Sequence, residues 1–192
     1  LLGNPDSLTS EKRSPFELKV VDFLDAVSED IMKNPQSQAV PDFGLEDAVI
    51  PLRAEGHALP FAEGYFDAVI CIDAYHFFGC DPEYLDAHIA PLVKPGGFIA
   101  AAIPGLRQEF TGGIPSGLLE EDINFHSAGW WAELWKQSTR AAVRDAFSLR
   151  SHKAAWEDWL QCDNPYAQRD ADMMEKAGWR YFDSIGIIAT VS

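Results

Sequence analysis

Basic residues are scarce in this 192-residue sequence: 15 Lys and Arg stand against 30 Asp and Glu, a formal net charge of −15. Nucleic-acid binding draws its affinity from clustered Lys and Arg that displace counterions, so a phosphate backbone is not the expected partner. Long apolar runs are lacking as well. No stretch approaches the ~20 residues of a membrane span. Nor does the N-terminus read as a charged start, an apolar stretch and a small-residue cleavage site. The expectation is a cytoplasmic protein with no membrane partner. Cysteine is confined to Cys71, Cys80 and Cys162, an odd set without metal-ligand or redox spacing, which argues against a disulfide framework or a zinc site. No pair of histidines with a carboxylate has ligand spacing either, so no metal is expected. The last absence is a Gly-x-Gly-x-x-Gly turn, and it counts against a nicotinamide-dependent Rossmann enzyme. The run Gly112-Gly113-Ile114-Pro115-Ser116-Gly117 has the wrong spacing and reads as a flexible loop.

What is present is the composition of one globular domain, 47% hydrophobic and 23% charged, able to bury a substantial core. From Asp47 onward, strand and helix patterns alternate, and this order predicts a doubly wound α/β fold with a mostly parallel central sheet and helices on both faces. Val49, Ile50 and Leu52 open it, and Phe66-Asp67-Ala68-Val69-Ile70-Cys71-Ile72 reads as a central strand. Asp81 is placed to cap a helix beginning at Pro82, with Leu85, Ile89, Leu92 and Val93 on one face. Lys94-Pro95-Gly96-Gly97 turns the chain into a second buried strand, Phe98 to Ile103. Residues 111–124 read as a surface loop, and 111–165 as a lid or substrate-side region. Ser127 caps a helix carrying Trp130, Trp131, Leu134 and Trp135. A strand at Ala142 to Leu149, a helix around Trp156, Trp159 and Leu160, a helix running to Gly178 and a last strand from Tyr181 to Val191 complete the domain. His88 and His152 read as surface helix residues. The first 46 residues hold an entry helix (Ser7 to Leu18), a strand end (Lys19 to Phe23) and a helix fragment (Ser28 to Lys33), too little chain for two full strand-helix units.

Three segments carry a resemblance. Leu52-Arg53-Ala54-Glu55-Gly56-His57-Ala58-Leu59-Pro60-Phe61, then Phe66-Asp67-Ala68-Val69, then Leu92-Val93-Lys94-Pro95-Gly96-Gly97 resemble, in the right order, the middle motifs of class I S-adenosylmethionine-dependent methyltransferases of the small-molecule type. The resemblance covers about Gly44 to Phe110. It implies S-adenosyl-L-methionine as cofactor and a small-molecule acceptor. It also implies that the Glu55 carboxylate accepts from the adenine amine, that the backbone of Gly56 and His57 lies along the ring, and that Ile72, Asp73, Ala74, Tyr75 and His76 stand beside the methionine portion and the sulfonium. Asp22, or with less support Asp25, matches the acidic strand end that binds the ribose hydroxyls. The family's glycine-rich first motif has no counterpart, and this layout puts the absent unit just before Val20 and Val21.

Each of these residues also has a plainer reading. Glu55 alone is a solvated loop carboxylate, and Asp73 a turn cap, although a carboxylate directly after an apolar central strand lies where open α/β sheets bind ligands. Tyr75 and His76 also suit packing beneath the next helix. His126, Trp130 and Trp131 are candidates for a substrate pocket, yet aromatics at helical spacing more often build a core. The expected reaction is in-line methyl transfer, in which alignment alone supplies roughly 7–11 kcal/mol. Tyr75, His76 or His126 are the candidates if the acceptor needs a base. The alternative is a methyltransferase-like domain without cofactor binding that serves as an interaction module, and an oligomer is compatible with either.

Overall fold

The computed structural model describes residues 54–112, 118 and 124–192. Among the described residues the sheet has four strands in the order β1-β2-β4-β3, with β1 Phe66–Ile72, β2 Val93–Leu106, β3 Ala141–Ser148 and β4 Phe182–Val191. Helix α1 (Ala128–Trp135) leads into β3, and α2 (His152–Trp159) and α3 (Pro165–Met173) connect β3 to β4. The expectations for Val49 to Leu52, for the elements before them and for Asp22 lie outside the described residues, as does most of the 111–124 loop.

The expected mostly parallel sheet is corrected to a mixed one. Only β1 and β2 pair in parallel among the described residues; β2 with β4 and β3 with β4 run antiparallel. The sequence pattern did not separate the two cases because β4 is buried on both faces, as parallel strands usually are. Strand alternation divides the core accordingly. Ile99, Ala101 and Ile103 of β2 pack with Ile185, Ile187 and Ala189 of β4 and with Trp131 and Trp135 of α1. Ala100 and Ala102 face the other way, toward Phe147, Leu149 and Ile188.

The helix expected from Pro82 to Val93 is also corrected. Asp81 accepts from Glu83 N at 2.9 Å, but it caps only a turn. A π-type turn at Leu85–Ile89 and a 3-10 turn at Ala90–Leu92 follow, and Val93 already belongs to β2. Pro91 lacks the N–H that a longer helix would use there. Lys94 to Gly97 form a bulge in the β1–β2 ladder, where Phe66 faces Val93 and Ala68 faces Phe98. Gly96 permits the bulge through its φ of 82°. Asp86, on the π-type turn, then fastens α1 to β3: it accepts from Ser138 Oγ and, at 2.8 Å each, from Thr139 N and Oγ1. Burial pulls its carboxyl upward, but these hydrogen bonds outweigh that and hold it below the ordinary value.

Ser127 caps α1 as its sequence implies, its Oγ accepting from Trp130 N at 3.3 Å. His152 differs from its surface reading. It is buried, with Nδ1 at 3.1 Å from Ser184 Oγ and 4.0 Å from the Asp183 carboxylate, and burial pushes its imidazole pKa down. Asp183 also accepts from Ser148 Oγ and from Ser184 N at 2.9 Å, so the start of β4 carries a satisfied carboxylate in the interior. No described helix is long and apolar enough to cross a membrane.

Candidate functional site

The C-terminal end of β1 is where the chain breaks from regular geometry. Asp73 N still donates to Ala102 O at 2.8 Å, yet Asp73 itself has φ 51°, the left-handed region that non-glycine residues rarely occupy. Asp tolerates it better than most side chains, and such strain concentrates at functional sites. At this turn Asp73, itself exposed, lines a cleft of about 180 Å³. His76 and Phe77 from the following turn, Pro104 of β2 and Phe125 line it. Trp156 and Trp159 of α2, and Arg169, Asp170 and Met173 of α3, complete the lining.

The electrostatics of this cleft are unbalanced. Surrounding protein disfavours the charged form of Asp73, and the nearby Asp170 carboxylate adds to the effect; together they push it up to about 6 although one side of the residue meets solvent. Burial pushes His76 down to about 4, so its imidazole is neutral at pH 7. Its Nδ1 is buried with no hydrogen-bond partner among the described residues. Asp170 accepts from Trp159 Nε1 at 3.0 Å and lies 3.5 Å from Arg169 Nη2.

The remaining candidates separate. Tyr75, adjacent to His76 in sequence, turns the opposite way into the core, 1% exposed, with edge-on contacts to Trp131 and Trp135 at 5.8 and 5.2 Å. Its hydroxyl and the Trp135 indole N–H approach one another without hydrogen-bond geometry. Burial raises its pKa far beyond the phenol value, so the suggestion that it acts as a base is corrected to packing. Gly79 is required beneath it, because a Cβ there would overlap the Tyr75 ring. Trp131 is fully buried and likewise belongs to the core. His126 stacks on Trp130 at 3.6 Å and meets Glu109 at 3.2 Å; neither borders the Asp73 cleft. Ile72 continues the strand, paired with Ala102 and packed against the Phe147 cluster.

Glu55, Gly56 and His57 form a corner of their own. Glu55 accepts from His57 N at 2.9 Å and meets its Nδ1 at 3.2 Å, and these bonds hold its exposed carboxyl below the ordinary value. Tyr84 donates to Gly56 O at 2.9 Å, and the His57 ring stands edge-on to Tyr84 at 5.0 Å and His88 at 5.1 Å. Glu55 does not line the Asp73 cleft. Sequence reasoning missed Trp156, Trp159 and Asp170 as cleft residues. The Trp156–Trp159 spacing was visible as a helix, but nothing local connects Asp170 with Asp73. Among the described residues, no group of His, Cys, Asp and Glu could hold a metal ion.

Known proteins resemble the chain in two ways. Residues 16–101 match the family model of a methyltransferase domain. Solved structures share the fold: a geranyl diphosphate C-methyltransferase from Streptomyces coelicolor A3(2), bound to Mg²⁺, geranyl diphosphate and S-adenosyl-L-homocysteine, aligns with a TM-score of 0.58 at 16% identity, over 80% of this chain and 56% of that one. A SAM-dependent methyltransferase from Geobacter sulfurreducens in complex with S-adenosyl-L-homocysteine gives 0.55 and 16%, over 79% and 68%. The [4+2]-cyclase SpnF gives 0.57 and 15%, over 79% and 60%. The matched domain covers a little under half of the chain, and the fold is one shared with S-adenosylmethionine-dependent methyltransferases of known structure. No curated protein matches the chain by sequence. The chain spans 60% and 56% of the lengths of two of these neighbours, the cyclase and the geranyl diphosphate enzyme.

Proposed function

We propose that the chain is an S-adenosylmethionine-dependent methyltransferase acting on a small molecule held in the Asp73 cleft. The observation that carries this reading is the strained Asp73 at the end of a parallel central strand, its carboxylate facing an aromatic-walled cleft inside a methyltransferase-like fold. Open α/β sheets bind ligands beyond the carboxyl ends of their strands.

The residues present fit the reacting end of the cofactor. A carboxylate without a cation of its own and aromatic faces suit a sulfonium, while a cleft of about 180 Å³ is too small for the adenosyl group as well. The adenine would belong to the Glu55 corner, where the carboxylate is solvent-exposed and its bonds come from His57 in the same turn, a partner it can exchange. When bound, the cofactor supplies an activated methyl group on a good leaving group. The protein's part is alignment and exclusion of water: Trp156, Trp159 and Phe125 wall the acceptor side, and Asp73 fixes positive charge at the strand end. His76, neutral at pH 7, lines the same cleft.

Melting the chain with and without S-adenosyl-L-homocysteine tests the reading. A ligand at ~100 times its dissociation constant adds ~2.7 kcal/mol of stability. A flat response would favour the second reading, a domain of this fold without cofactor binding that serves as an interaction module. The absent glycine-rich motif favours that alternative, and SpnF shows that a protein of this fold can be described by an activity other than methyl transfer.

A further inference from the structure

The Glu55 carboxylate divides its two oxygens between different partners. Oε2 accepts from His57 N at 2.9 Å, a backbone bond that belongs to the turn, while Oε1 meets the His57 imidazole at Nδ1, 3.2 Å away. These two bonds are the main cause of its lowered carboxyl. Both side chains are open to solvent, 68% exposed for Glu55 and 51% for His57, so a dissolved ligand can reach them. The imidazole is nevertheless held in place. Its ring stands edge-on to Tyr84 at 5.0 Å, His88 at 5.1 Å and Phe78 at 5.9 Å. Tyr84 is buried and donates to Gly56 O at 2.9 Å, so the wall behind the ring is tied to the same turn. A Cβ on Gly56 would lie 3.4 Å from that hydroxyl and 3.6 Å from the Phe78 ring, and the glycine lets the turn sit close to both. The corner therefore keeps an imidazole against one carboxylate oxygen while the backbone keeps the other.

We infer that His57 is an internal competitor for the carboxylate oxygen that an adenine amine would take, and that it sets the affinity of the corner for adenine nucleosides. This rests on the proposed function, since it reads Glu55 as the acceptor of that amine. With Oε2 held by His57 N, an arriving amine has to move Nδ1 off Oε1 to take the bond at full strength. The fraction of molecules in which Oε1 is free then scales the apparent affinity. An exposed imidazole and carboxylate hold each other weakly, so the expected penalty is small, about threefold. Its sign is what separates competition from other roles. Removing a ring that stacked on the base, or that only shaped the turn, would weaken binding or leave it unchanged; removing a competitor strengthens it.

The test compares adenosine with purine riboside, which carries hydrogen in place of the exocyclic amine and so makes no demand on Oε1. Each is titrated into the full chain and followed by protein NMR shifts, for the unaltered protein, for His57→Phe, which keeps a ring against Tyr84 and His88, and for His57→Ala. Both variants retain the backbone N–H that holds Oε2. The affinity for adenosine is expected to rise about threefold in each, while that for purine riboside stays constant. In Glu55→Ala the same replacements of His57 are expected to change neither affinity, because no carboxylate is left to compete for. An equal gain for the two nucleosides overturns the inference, as does a gain that persists in Glu55→Ala. Adenosine binding that Glu55→Ala weakens, but that neither His57 replacement improves, overturns the inference and leaves the proposed function standing. No adenosine binding to any form of the chain overturns both.

Discussion

Two regions of the molecule that the sequence marked for the same ligand are built on opposite principles. In the Glu55 corner the polar groups already serve one another: the carboxylate takes both bonds that His57 offers, and Gly56 O takes the Tyr84 hydroxyl. At the end of β1 the backbone is strained, and among the described residues the Asp73 carboxylate has no ion pair and His76 Nδ1 has no hydrogen-bond partner. Unsatisfied polar groups are costly in a folded chain and persist where something else repays them. The cleft therefore keeps an exposed carboxylate open to a ligand, while the corner can bind only by exchanging a bond it already has. The same contrast recurs between adjacent residues, as Tyr75 completes the core and His76 borders the cleft.

The largest expected effect breaks that last pairing. Tyr75→Ala should cost about 3–5 kcal/mol of stability in urea denaturation. His76→Ala should cost clearly less, because it removes an unpartnered buried nitrogen at the edge of open space. Equal losses would place both side chains in the same environment. Next comes Glu55→Gln, expected to weaken S-adenosyl-L-homocysteine binding roughly tenfold by calorimetry while leaving the melting temperature unchanged; undiminished binding would make the corner purely structural. Trp159→Phe removes the indole N–H that Asp170 accepts and should lower stability by about 1 kcal/mol. A ligand that depends on Asp170 should restore part of the difference.

The smallest effect concerns pH. The carboxyl of Asp73 is raised in the folded state to about 6 from an ordinary 3.8, so the folded protein holds the extra proton between those values. The resulting penalty is absent below about pH 4, grows as pH rises through that window and is complete above about pH 6. Asp73→Asn should therefore raise the melting temperature more at pH 7.5 than at pH 4. A difference independent of pH would trace the effect to backbone strain alone.

Much of the framework was readable from residue patterns. The run Phe66–Ile72 is β1 with its predicted bounds, Ser127 caps α1, and the last strand begins one residue after its expected start. Strand direction was not readable. Alternating burial along β3 is a sign of an antiparallel edge, whereas β4 is apolar throughout and carries no directional mark. At the site, Asp73 and His76 were visible because they follow a strand end. Asp170 sits on a polar helix whose own neighbours give no reason to look across the sheet. Tyr75 and His76 look equivalent in sequence, and only the turn at Asp73 decides which of them faces inward.

The antiparallel pairing of β3 with β4 has a consequence for how such a cleft diversifies. Trp156, Trp159 and Asp170 all lie on the excursion between these two adjacent strands, so they are carried by an elaborated hairpin connection. A replacement of different length or chemistry could be grafted there while both anchoring strands keep their register. Selectivity for the bound molecule can thus change as an exchangeable cassette, with Asp73 remaining as the fixed post against which each new cassette is fitted.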